Sequence, residues 1–166
     1  GLAGDVSSSD FEDYEKQRSR LKEARRLLRI LQQQAEETLA SELTMALQFS
    51  SIGTLVSLKA PQLRGRITPA VIVDKLDGPG QFPLLLCLTD QNVWLLHTCQ
   101  AVVSLHAELS CLQISNVKKP TLTRMGEICH GDENSRQLAL ALSSIAKRHD
   151  MGTPQYDLEG EVLTQA

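Results

Sequence analysis

Along the first third of the chain, apolar residues recur in steps of three and four: Leu21, Ala24, Leu28, Leu31, Ala35, Leu39, Leu43 and then Ala46 or Leu47. That spacing sets them in one stripe of a helix. Neither glycine nor proline interrupts residues 10–49, so the pattern predicts one helix over that length. Ser9 or Asp10 would cap it, with Glu12 and Asp13 near its positive end. At about 1.5 Å per residue such a helix approaches ~60 Å, more than a small domain is wide. Part of it must protrude, bend or pair.

Past residue 49 the period drops to two. SIGTLVSLKA (51–60) predicts a first strand, and the β-branched run 66–76 a second, whose Pro69 argues for an edge or a bulge. DGPG (77–80) is a turn. LLLCLTDQNVWLLH (84–97) is then two apolar runs on either side of Thr-Asp-Gln-Asn, a hairpin turning on Asp90, Gln91 and Asn92. Trp94 and Leu96 share one face of it, Val93, Leu95 and His97 the other. Both faces are largely apolar, as in a strand covered on each side. Residues 102–105 and 109–115 predict one or two more strands, and 122–129 a last short one. A second helix follows at 133–149, with Leu138, Ala141, Leu142, Ile145 and Ala146 on one face, ended by Met151-Gly152-Thr153-Pro154. The expected organisation is α+β: a disordered lead (1–9), a long helix (10–49), a strand domain (50–150) and a polar tail (151–166).

Composition narrows this picture. Of 166 residues 42% are hydrophobic but only 4% aromatic, so the core must be aliphatic. A membrane span needs about 20 apolar residues in a row, and the hairpin run breaks after Leu88. The net charge of −3 argues against nucleic acid as a partner. The charge is uneven, however: seven basic residues stand between Lys16 and Arg29 against the single acid Glu23. Cys87, Cys99, Cys111 and Cys129 form no CxxC pair, and Gly1-Leu2-Ala3-Gly4 lacks the pattern of a secretory leader. Reduced thiols in a cytoplasmic protein, peripheral at membranes at most, are the expectation.

A run of short antiparallel strands closed by one amphipathic helix resembles the pleckstrin homology-like superfold, which includes the class I myosin tail domains and GRAM-type modules. The residues that carry the resemblance are Leu88-Thr89-Asp90-Gln91-Asn92-Val93-Trp94-Leu95-Leu96 and the stretch from Ser104 to Ser115, within Ile52 to His149. It implies an antiparallel β-barrel closed by a C-terminal helix. It also implies a phosphoinositide site of Lys59, Arg64 and Arg66, across the first hairpin. Arginine forks suit phosphate oxygens and lysine adds a point charge.

Other chemistry is poorly served. His97, Cys99, His106, Cys111, Cys129 and His130 offer zinc-type donors without a paired knuckle, so no metal and no cofactor is expected. His97 with Cys87 or Cys99 and Asp90 could be drawn as a nucleophilic set, but no nucleophile elbow, glycine-rich phosphate loop or HExxH motif is present. The reading is a non-enzymatic adaptor for trafficking, signalling or cytoskeletal work. Leu21, Leu28, Leu31, Ala35 and Leu39 would bind a protein partner or a second copy, with an anionic membrane as a further partner. The alternative is a phosphoinositide-binding, membrane-targeting module, and a small enzyme is the third.

Overall fold

The computed structural model describes residues 8–78 and 83–152. Most of the expected lead, part of the DGPG turn and the tail from residue 153 fall outside them. The elements are α1 (Ser8–Gln48), β1 (Leu55–Leu58), β2 (Thr68–Leu76), β3 (Leu84–Thr89), β4 (Val93–Thr98), β5 (Val102–Leu105), β6 (Ile128–His130) and α2 (Glu133–His149). The chain divides into two compact units, Gly1–Glu42 and Leu43–Ala166. In the first, the stripe residues Leu21, Leu28 and Leu31 are exposed, as is Ala35, while Leu39 is half-buried.

The strand unit is one six-stranded antiparallel sheet in the order β5-β1-β2-β3-β4-β6. The 3₁₀ turn Cys99–Ala101 links β4 directly to β5, and these strands are four places apart in the sheet. In a flat sheet that separation is about 19 Å, at ~4.8 Å per strand. The four steps from Thr98 to Val102 span at most about 14 Å. The sheet must therefore roll until β4 approaches β5. Irregular pairing at Ser57/Leu58 and at Ile72/Asp74 supplies the local bends that rolling needs. The Lys59 N–H completes the approach by donating to the Ala101 carbonyl at 2.8 Å.

Rolling gives two apolar layers. Leu55, Val71, Val73, Leu84, Leu86, Leu88, Trp94 and Leu96 point to one side, under Leu138, Ala139, Leu142 and Ala146 of α2. Val56, Leu58, Ala70, Ile72, Leu85, Cys87 and Leu95 point to the other, with Leu47, Ala101 and Val102. The alternation along each strand follows from the pleat. Asp132 caps α2 by accepting the Ser135 N–H at 3.0 Å. The end of α1 has no basic residue of its own in its last turn. Lys75 of β2 supplies one instead, its Nζ donating to the carbonyls of Leu47 (2.7 Å) and Ser50 (2.5 Å).

Three expectations change. The sheet is rolled but open, since no pairing joins β5 to β4 or β6 among the described residues; a closed barrel is not what the ladder forms. Residues 109–115 are irregular rather than a strand. Leu109, Leu112, Ile114 and Val117 pack on the α2-side layer, but their spacing does not alternate, and the Leu112 N–H goes to the Gly53 carbonyl. Pro69 lies in an interior strand, where it is buried. It is tolerated as the second residue of β2, where its carbonyl still accepts the Asp90 N–H at 3.1 Å.

Trp94 is 2% exposed and sits at the centre of the α2-side layer. Trp94→Ala should cost about 3–5 kcal/mol, as aromatic truncations in cores do. The shift of the urea midpoint measures this, and a loss below about 1 kcal/mol would contradict a packed site there.

Candidate functional site

The loop joining β1 to β2 carries Lys59, Arg64 and Arg66. It opens with a 3₁₀ turn, Pro61–Leu63. Arg64 follows in the left-handed region at φ 59, and Gly65 at φ 65. A left-handed non-glycine residue costs about 1–2 kcal/mol, and the loop's own bonds hold it there. The N–H groups of Arg64, Gly65 and Arg66 donate to the carbonyls of Pro61, Ala60 and Leu63 at 3.0, 3.1 and 3.2 Å. The backbone donors of residues 64–66 are thus used within the loop. Lys59, Arg64 and Arg66 are all exposed, and none makes an ion pair among the described residues. Other cations are engaged: Arg26 with Glu23 at 3.0 Å, Lys119 with Asp74 at 2.9 Å and Arg136 with Glu133 at 3.4 Å. The three sequence-predicted residues thus share one internally hydrogen-bonded loop.

In the imagined nucleophilic set, nothing activates Cys87. Cys87 is buried, and burial pushes its thiol up to about 12, far from any thiolate. His97 Nδ1 instead accepts the N–H of its neighbour Thr98 at 2.9 Å. Asp90 lies in the β3–β4 turn, its pKa raised by burial against the opposing pull of Gln91 and Lys147. Among the described residues no three His, Cys, Asp or Glu side chains gather to hold a metal. A groove of about 570 Å³ between residues 111–117 and α2 offers Cys111 as its one ionisable lining group.

A polar cluster that the sequence did not reveal lies inside the sheet. Ser57, wholly buried, donates its hydroxyl proton to the carbonyl of Met151. Having one proton, it must accept from His106 Nε2, 2.8 Å away. His106 Nδ1 faces Glu108 Oε1 at 3.7 Å. Serine, histidine and glutamate are thus in line, but the proton runs the wrong way for a nucleophile, and no substrate reaches a buried Ser57. The cluster fastens the end of α2 to β1. Its only sequence signal was a polar residue in an otherwise apolar strand.

With this geometry in hand, the comparisons with known proteins are narrow. Residues 45–149, well over half of the chain, match the family model described as "Cyanobacterial Ski2-like RNA helicase, middle domain". No curated protein and no solved structure matches the chain. The family match overturns the expectation of a trafficking or signalling adaptor and that of a phosphoinositide-binding module. It also overturns the exclusion of nucleic acid as a partner. A net charge of −3 averages over the chain and hides the cations grouped at one loop.

Burial holds the His106 pKa below its ordinary 6.5, with Glu108 pulling it up and His149 adding to the depression. The unfolded chain then takes up the proton first as pH falls. Stability from this group is complete above about pH 6.5 and is lost as pH drops through the folded-state value. His106→Gln keeps a donor toward Ser57 and removes the titration. Urea midpoints at about pH 8 and about pH 5.5 should therefore fall further for the wild type than for His106→Gln. Equal falls would show that His106 contributes nothing to the acid sensitivity.

Proposed function

Because the chain belongs to the family of cyanobacterial Ski2-like RNA helicase middle domains, we propose that it serves such an enzyme as an accessory RNA-contacting module, and not as its motor. The observation that carries this reading is the set of exposed, unpaired Lys59, Arg64 and Arg66 side chains on one internally hydrogen-bonded loop. RNA presents a phosphate at every nucleotide. Guanidinium forks and an ammonium group are the side chains that hold phosphate oxygens. Such contacts position an RNA strand without reading its bases.

Two further features support a backbone-reading role. The loop from Lys59 to Arg66 contains no aromatic residue, and Trp94 is buried, so the loop offers no platform for stacking bases. In the N-terminal unit, Lys16, Arg18, Arg20, Lys22, Arg25 and Arg29 are exposed along α1. Arg18, Lys22, Arg25 and Arg29, in steps of four, three and four, share one face of it. For the motor, the Walker-type sequence G-x-x-x-x-G-K-[ST] would be needed, and it does not occur in these 166 residues. ATP hydrolysis on this reading resides elsewhere in the enzyme.

The test is fluorescence anisotropy of a labelled single-stranded RNA against the full chain at several salt concentrations. A sequence-independent complex in the range of about 10⁻⁴–10⁻⁶ M is expected, tightening as salt is lowered. Arg64→Ala with Arg66→Ala should weaken it and reduce the magnitude of the log–log salt slope by about 1.4, at ~0.7 per lost phosphate contact. Absence of wild-type binding, or a double variant equal to wild type, would refute the role of this loop. Phosphate release from ATP by the chain alone would refute the accessory assignment.

A further inference from the structure

We infer that the RNA-contacting surface is built from two loops, and that Arg124, on the loop before β6, is its further phosphate-binding residue. This deepens the proposal above and rests on it. Gly126 lies so close to the β1–β2 loop that a Cβ there would sit 2.5 Å from Gln62 Nε2 and 3.5 Å from its Cδ. Gln62 lies between Lys59 and Arg64 in that loop, and Arg124 is two residues from Gly126. Two residues span at most about 7 Å of backbone. The contact between Gly126 and Gln62 therefore sets Arg124 beside the basic turn.

Both loops are held firmly. The Gly126 N–H donates to the Leu96 carbonyl at 2.7 Å, and the Leu96 N–H donates to the Glu127 carbonyl at 3.0 Å, which ties the second loop to β4. The Glu127 N–H closes the turn onto the Arg124 carbonyl at 3.0 Å. Glu127, the acid of this loop, accepts the Thr123 N–H through its carboxylate at 3.3 Å. Arg124 is exposed and makes no ion pair among the described residues. Its guanidinium stands free on a fixed turn, as those of Arg64 and Arg66 do. An RNA backbone lying over the Gln62–Gly126 contact meets cations from both sides, with no ordering of loops needed on binding.

Gly126 is the residue that permits this closeness. Its φ of +84 suits glycine, and its missing side chain leaves Gln62 its place. A methyl group there would displace the end of the Gln62 side chain and strain the backbone at that φ.

The experiment uses the full chain and the same labelled single-stranded RNA, titrated at several salt concentrations, with circular dichroism to verify folding. Arg124→Ala should lower affinity several-fold and reduce the salt-slope magnitude by about 0.7, while Arg124→Lys keeps the slope. If Arg124→Ala fails to fold, Arg124→Gln takes its place against Arg124→Lys. Suppose the wild type binds and the Arg64/Arg66 double variant is weakened, yet Arg124→Ala keeps wild-type affinity and slope. Arg124 then lies outside the interface, and the one-loop reading survives alone. A wild type that does not bind RNA overturns both.

Discussion

Three residues, Cys99–Ala101, must carry the chain from β4 to β5, and most of the strand unit follows from that shortness. A flat sheet cannot satisfy it. The two faces of the sheet are covered by separate apolar layers, and the central strand β3, buried along its whole length, is apolar on both sides. The roll brings the end of β1 against Ala101. The loop that leaves β1 consequently faces the loop that approaches β6. In the proposed two-loop surface, Lys59, Arg64 and Arg66 are neighbours in the sequence, and only Arg124 would join them by position in the fold.

Local periodicity made much of this architecture legible. The long helix, the β3–β4 hairpin, the burial of Trp94 and the bounds of α2 all follow from patterns within about ten residues, where the side-chain period reports the element directly. Residues 109–115 were misread because apolar content without alternation resembles a strand in composition alone. The roll itself had no local signal, since it depends on the pairing of β5 with β1, strands about fifty residues apart. The basic residues Lys59, Arg64 and Arg66 were visible as a triplet, yet the phosphoinositide assigned to them came from a resemblance, and an averaged charge argued against nucleic acid. Arg124 was not visible at all. Its neighbours are defined by the contact of Gly126 with Gln62, a tertiary event.

The distribution of charge partners separates support from display. Lys75 is spent on carbonyls at the end of α1, and burial lowers its pKa, as suits a cation serving as a structural cap. Lys119 is matched to Asp74. Lys59, Arg64, Arg66 and Arg124 on the two loops make no ion pair among the described residues, which is what the proposed contact with a polyanion requires.

The buried hydroxyl of Ser57 has a consequence beyond fastening α2. Because side chains alternate in a strand, a slip of β1 by one residue would exchange its two faces. Leucine or valine would then lie under the Met151 carbonyl, and the serine would point into the opposite apolar layer. Apolar residues on both faces would tolerate such an error, since either side is greasy enough to accept the other's occupants. One hydrogen-bonding group removes the ambiguity: the misaligned strand strands two polar atoms in the dark, at a cost of about 1–3 kcal/mol each. In a sheet where hydrophobicity says only that a strand belongs inside, Ser57 says which way up.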